Sequence, residues 1–127
     1  METDTIRVLV AEDDQQMVEL LQRVLGEEGY HVTAVRDGAQ ALAKLEEQPS
    51  FDLVLTDLRM PGLDGMELLR RAMARQLRQP VILMTAFGTI DSAVQAMREG
   101  AYYYLAKPVH IEDLLEIVGS AADVVRQ

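Results

Sequence analysis

Side chains that could do chemistry stand at the predicted ends of short apolar runs. Glu12 and Asp13 follow the first run, and Asp57 follows the third. Thr85 ends the fourth run, and Lys107 follows the fifth. A carboxylate can act as a nucleophile, neighbouring carboxylates can hold a divalent cation, and a lysine can neutralise phosphoryl oxygens. If these residues meet, they could carry out phosphoryl transfer to a carboxylate.

Each of these residues also has an ordinary explanation. Asp13 and Asp14 could be an N-cap and first-turn acids of the helix that follows them, and Asp57 could begin a turn. Thr85 suits the end of a strand, and a lysine before proline is usually a solvated turn residue. The functional interpretation therefore depends on whether the fold brings all of them to one place.

Five apolar runs alternate with amphipathic stretches. The runs are Ile6–Ala11, Tyr30–Val35, Phe51–Thr56, Val81–Thr85 and Tyr102–Ala106. The first, third and fourth are almost continuous in Val, Ile and Leu, which is typical of strands buried on both faces of a parallel sheet. Because parallel strands need right-handed crossovers, we predict an α/β fold: a doubly wound (βα)5 domain with helices on both faces. We expect the strand order 2-1-3-4-5, which is common in such sheets.

Apolar residues at helical spacing predict the five helices. They are Met17, Leu20, Leu21, Val24, Leu25; Ala39, Leu42, Leu45; Met66, Leu69, Met73; Ala93, Ala96, Met97; and Leu114, Ile117, Val118, Ala121. Gly29 and Gly100 stand where the first and fourth helices should end, and Pro80 precedes the fourth strand.

This topology places the polar strand ends at one edge of the sheet. Adjacent strands lie about 4.8 Å apart, so Asp13 and Asp57 should be neighbours, with Thr85 one strand away. Strand 5 should lie about 10 Å from strand 3, a gap that the Lys107 side chain can span. Carboxylates gathered there repel one another unless a cation joins them, and oxygen-only ligands suit Mg²⁺.

Composition narrows the kinds of metal and partner that this chain is expected to bind. The 127 residues lack Cys, and both histidines lie elsewhere in the pattern, so zinc is disfavoured. With 12 Lys+Arg against 21 Asp+Glu, the net charge of −9 does not favour contact with nucleic acid. No signal peptide or membrane-length apolar run is visible, and we expect a cytoplasmic protein without membrane contact.

Four stretches, VLVAEDD, LTDLRMPGLDG, VILMTA and YLAKP, carry a resemblance that extends over essentially the whole chain. In their order and spacing they resemble the CheY-like receiver domains of two-component response regulators. The stretch from TAFGTIDSAV to YYYLAKP is most similar to receivers of NtrC-type, sigma-54-dependent transcriptional regulators. A glutamate at position 12, where Asp is commoner, is a variant that the family tolerates.

The resemblance implies a phosphoacceptor and a metal site. Asp57 matches the phosphoacceptor. Asp13 matches a direct ligand of Mg²⁺ (or Mn²⁺), and Glu12 matches an acid that acts through water. The backbone carbonyl of Arg59 matches the third protein ligand.

The resemblance also implies a switch. Thr85 matches the hydroxyl that follows the phosphoryl group, and Ala86 is the next residue of that motif. Lys107 matches the phosphate-pairing lysine, with Pro108 as the cis-proline beside it. Tyr104 matches the aromatic residue that moves with the switch.

The implied function is a phosphorylation-dependent signalling switch that catalyses only its own phosphorylation and dephosphorylation. A sensor histidine kinase would donate the phosphoryl group, and the surface of helix 4, strand 5 and helix 5 would control an output domain, with transcription as the output.

The three tyrosines at 102–104 suit a homodimer or output interface. Bulky residues at Arg59 and Phe87 predict slow loss of phosphate. We expect residues 1–127 to be one receiver domain, the N-terminal part of a longer regulator rather than a stand-alone protein.

Three alternatives use the same fold. A phosphatase or phosphotransferase with an Asp nucleophile commonly has a second Asp two residues later, where this chain has Arg59. A flavodoxin-like cofactor binder needs a phosphate-binding loop after strand 1, where Glu12 and Asp13 would repel phosphate. A pseudo-receiver that is never phosphorylated would be a protein-interaction module, and loss of an active-site residue would mark it.

Overall fold

Residues 5–47, 51–86 and 90–126 are described by the computed structural model. Five strands alternate with five helices along the chain, as the apolar pattern predicts. The strands are β1 (Arg7–Ala11), β2 (His31–Val35), β3 (Leu53–Asp57), β4 (Val81–Thr85) and β5 (Tyr103–Ala106). The helices are α1 (Gln15–Glu27), α2 (Gly38–Glu47), α3 (Gly65–Ala74), α4 (Ile90–Arg98) and α5 (Ile111–Arg126).

All strand pairs are parallel, and the order is β2-β1-β3-β4-β5, which confirms the predicted topology. Side chains alternate between the two faces of the sheet. In β1, Leu9 and Ala11 join the core under α2, α3 and α4, whereas Val8 and Val10 join the core under α1 and α5. β3 and β4 are buried along their whole length, which explains their nearly continuous apolar sequence.

The helix starts depend on short polar side chains. Asp14 caps α1 by accepting a hydrogen bond from the Gln16 amide, and Asp64 caps α3 by accepting one from the Glu67 amide. Such caps satisfy backbone N–H groups that the first helical turn leaves without partners. No helix in the described ranges is both long and apolar enough to cross a membrane.

Several details differ from the sequence pattern. Four strands begin one or two residues later than predicted, and β3 extends to Asp57 because that residue pairs with Met84 of β4. On α2, Ala39 is exposed and Ala41 is buried instead. Met73 and Met97 are 37% and 46% exposed. The residues buried against the sheet are instead Leu68, Leu69 and Ala72 on α3 and Ala96 on α4.

Candidate functional site

Three carboxylates converge at the carboxyl edge of β1 and β3. Glu12 and Asp13 follow β1 directly, and Asp57 is the last residue of β3. Oxygen atoms of the three side chains all lie within 4.8 Å of one another. Glu12 and Asp57 are buried, whereas Asp13 is exposed. The fold therefore gathers the acids that the sequence singled out, with one open side toward solvent.

Lys107 supplies the counter-charge from the loop after β5. Its Nζ lies 2.9 Å from Glu12 Oε1, to which it donates a hydrogen bond, and 3.4 Å from Asp57 Oδ2. The Lys107 backbone N–H donates to the carbonyl of Thr85 at 2.8 Å, which fixes the loop to β4. The lysine thus spans from the sheet edge to the central strands, as its length predicts.

Burial and neighbouring charges set the protonation of this pair. Desolvation raises the pKa of Glu12, and the hydrogen bonds from Lys107 and from the Asp14 amide, which lower it, do not cancel the effect. Burial lowers the pKa of Lys107, but the hydrogen bond to Glu12 and the charge of Asp57 outweigh burial and raise it overall. The raised pKa of Lys107 favours a protonated ammonium beside Glu12 and Asp57.

A buried hydroxyl and a half-buried aromatic residue complete the site. Thr85 is the last residue of β4 and is 1% exposed, and Ala86 after it is exposed. Tyr104 packs against the core below α4, and its hydroxyl lies 2.8 Å from Ser92 Oγ of that helix. The Lys107–Pro108 peptide bond is cis, as the resemblance implies.

The β3–α3 connection carries Arg59, two residues after Asp57, and this side chain is exposed. The Leu58 amide donates to the Met84 carbonyl at 2.7 Å, and the Gly65 amide donates to the Leu58 carbonyl at 2.9 Å. These bonds hold the start and end of the loop. The role of the Arg59 carbonyl as a ligand stays a prediction. Phe87, also singled out by the sequence, lies outside the described residues.

Some neighbours of the site were not anticipated. The Asp14 amide donates a hydrogen bond to Glu12 Oε2 at 3.1 Å. Arg36, just after β2, donates to the Asp13 carbonyl at 3.5 Å and also to the side chain of Gln15. Arg36 follows a strand that ends at the same edge of the sheet, so the topology could have indicated it.

One groove lies at the opposite edge of the sheet. It measures about 470 Å³ and is lined by residues that include Phe51, Arg78 and Val124. A second groove of about 380 Å³ lies beside β5, with Lys107 and Pro108 in its wall. The carboxylate cluster itself is small and polar, which suits an ion or a phosphoryl group better than a large organic ligand.

Comparison with known proteins places the chain among response regulators. Residues 8–119 match the family model of the response regulator receiver domain. The chain is 42% identical over 116 residues to the response regulator protein FleR of Pseudomonas aeruginosa, covering 91% of this chain and 24% of that protein. It is 39% identical over 114 residues to the DNA-binding transcriptional regulator NtrC of Escherichia coli K12, covering 90% and 24%.

A solved structure with the same fold is a chain of the CheX-CheY-BeF3-Mg+2 complex from Borrelia burgdorferi. Its TM-score is 0.85 at 27% identity, over 91% of this chain and 87% of that one. The present chain spans about a quarter of the length of the curated relatives named above.

Proposed function

Because the chain belongs to the family of response regulator receiver domains, we propose that it is a phosphorylation-dependent switch whose phosphoacceptor is Asp57. The observation that carries this proposal is the position of the Asp57 carboxylate. It ends the central strand, shares a cluster with Glu12 and Asp13, and has the Lys107 ammonium 3.4 Å away. A carboxylate in this position can act as a nucleophile.

The proposed donor is a phosphohistidine of a sensor kinase. A carboxylate oxygen of Asp57 forms a bond to phosphorus, while the bond from phosphorus to the imidazole nitrogen breaks. The electron pair remains on that nitrogen, which takes up a proton. Lys107 would neutralise one oxygen of the transferred group, and the Thr85 hydroxyl another. The domain would catalyse only this reaction on itself and its own later dephosphorylation, in which water attacks phosphorus, the bond to the Asp57 oxygen breaks and inorganic phosphate leaves.

The donor set fits a hard divalent cation. Three carboxylates within 4.8 Å offer only oxygen, the chain has no Cys, and such ligands suit Mg²⁺ or Mn²⁺. Glu12, Asp13, Asp57 and the Arg59 carbonyl would hold it. The bound ion would neutralise charge on the phosphoryl oxygens. The name of the Borrelia complex, which includes both Mg and BeF3, supports the same assignment.

The phosphorylation state of Asp57 would control the output through the surface formed by α4, β5 and α5. Its apolar side chains are already exposed: Ile90 by 84%, Val94 by 43%, Met97 by 46% and Tyr103 by 42%. Movement of Thr85 toward the phosphoryl group would free Tyr104 to turn, and Tyr104 connects β5 to α4 through Ser92.

This surface suits an output domain or a second copy of the chain. Transcription control is favoured because NtrC is named a DNA-binding transcriptional regulator. The net charge of −9 argues that this segment itself does not contact nucleic acid. Sedimentation with and without Mg²⁺ and beryllofluoride tests dimer formation, and a monomer under both conditions would exclude activation-linked dimerisation.

The central test compares Asp57→Asn with the wild type, using Asp64→Asn as the matched control. Asp64 is exposed, and asparagine still caps α3. With acetyl phosphate and Mg²⁺, we expect the wild type and Asp64→Asn to gain a hydroxylamine-sensitive phosphoryl group, and Asp57→Asn to gain none. Equal labelling of Asp57→Asn would refute the acceptor. Failure of the wild type to bind beryllofluoride with Mg²⁺ would favour the pseudo-receiver.

A further inference from the structure

The first residue of α3 touches the backbone of the phosphoacceptor. A Cβ placed on Gly65 would lie 2.9 Å from the Leu58 Cα and closer still to the Asp57 carbonyl oxygen. Both neighbours are backbone atoms, so no rotamer change could make room. We infer that Gly65 is a positioning residue, and that only its hydrogen side chain lets Asp57 reach the other two carboxylates. This inference rests on the proposed function.

The reason for glycine here is contact rather than backbone freedom. Among described glycines, the left-handed conformation is found at Gly29, Gly62 and Gly100, and Gly65 is not among them. Its amide instead donates to the Leu58 carbonyl at 2.9 Å, while the Leu58 amide donates to β4 at 2.7 Å. α3 is thus fastened directly to the residue that follows Asp57.

A methyl group at this position would have to separate α3 from the strand end. Either the helix moves and the bond from Gly65 to Leu58 is lost, or Leu58 moves. Movement of Leu58 displaces Asp57 on one side and Arg59 on the other, the proposed acceptor and a proposed ligand of the cation. We therefore expect the affinity for Mg²⁺ to fall, because the oxygen atoms no longer converge.

Gly38 offers a matched comparison. It is the first residue of α2, and an added Cβ would lie 2.9 Å from the Leu63 carbonyl carbon and closer still to its oxygen. Its amide donates to the same carbonyl at 3.1 Å. The steric conflict is of the same kind, but it falls at the far end of the β3–α3 loop, six residues from Asp57.

The experiment compares Gly65→Ala with Gly38→Ala and the wild type. Urea unfolding measures stability, and Mg²⁺ titration followed by the NMR shift of the Asp57 amide measures affinity where each protein is folded. We expect both variants to lose stability. Only Gly65→Ala should lose affinity, by about tenfold or more, the range seen when partners of metal ligands are removed.

If the single variant Gly65→Ala does not fold, the substitution is combined with two stabilising ones, Gly26→Ala and Gly119→Ala. At these two positions an added methyl group meets nothing within 4 Å. Both positions lie in helices, where alanine is more stable than glycine. Wild-type affinity in Gly65→Ala, or an equal loss in Gly38→Ala, would overturn the positioning role. Failure of the wild type to bind Mg²⁺ would instead overturn the proposed function.

Discussion

Replacing Asp13 with asparagine should change stability in opposite directions with and without Mg²⁺. Oxygen atoms of Asp13, Glu12 and Asp57 lie within 4.8 Å of one another. Two unit charges at that distance repel by about 3.5 kcal/mol at an effective dielectric constant near 20, and by about 0.9 kcal/mol in water. Because Asp13 is exposed and screened, we expect Asp13→Asn to stabilise the metal-free protein by about 1 kcal/mol.

The gain from Mg²⁺ should be larger than this repulsion. A ligand at about 100 times its dissociation constant stabilises the folded state by about 2.7 kcal/mol. For 127 residues, the average entropy of unfolding converts 1 kcal/mol into about 4 °C and this gain into about 10 °C. Asp13→Asn should therefore melt about 4 °C above the wild type in EDTA and below it in saturating Mg²⁺.

Thermal unfolding followed by circular dichroism measures both conditions. Asp14→Asn is the matched control, because it makes the same charge change one residue away and asparagine still caps α1. This control should keep the full gain from Mg²⁺. If Asp13→Asn is less stable than the wild type in EDTA, or gains as much from Mg²⁺, the carboxylate cluster is not the cation site.

Two further predictions concern the same edge of the sheet. The pKa of Glu12 is raised in the folded state, so its contribution to stability is complete below the ordinary value of 4.5 and is lost as pH rises through the raised value. In EDTA, the free energy of unfolding of the wild type relative to Glu12→Gln should therefore fall above about pH 4.5. Urea unfolding at a series of pH values measures this difference, and a constant difference would contradict the prediction. The bond between Tyr104 and Ser92 should give a coupling of about 1 kcal/mol in a double-mutant cycle with Tyr104→Phe and Ser92→Ala, and additive effects would exclude it.

Strand order and the gathering of the site could be predicted because both follow from general rules. Nearly continuous apolar strands need cover on both faces, and the carboxyl ends of parallel strands meet at one edge. Together with the common strand order 2-1-3-4-5, these two rules bring Asp13 beside Asp57 without any knowledge of their roles. Strand ends were less predictable: Phe51 is 2% exposed yet lies before β3, because burial alone does not require ladder pairing.

Helix faces and side-chain partners were harder to predict. The apolar stripe of α4 suggested a buried Met97, but only Ala96 is buried there, because spacing gives the face of a helix and not its depth against the sheet. Likewise, the length of Lys107 shows that it can reach the acids, but not that Glu12 is the nearer one. Ser92 has no chemical signature in the sequence, and only the fold shows its contact with Tyr104.

Under the proposed function, the position of Lys107 between Glu12 and Asp57 would link the cation to the switch. In this structure its ammonium is closer to Glu12, at 2.9 Å, than to Asp57, at 3.4 Å. A phosphoryl group would change the charge at Asp57 to about −1.5 to −2 and draw the ammonium toward it. Glu12, which is fully buried, would then lose its counter-charge, and a buried unpaired carboxylate is costly. A divalent cation beside Glu12 would remove that cost, so under the proposed function the movement of Lys107 and a requirement for Mg²⁺ would follow from one charge balance.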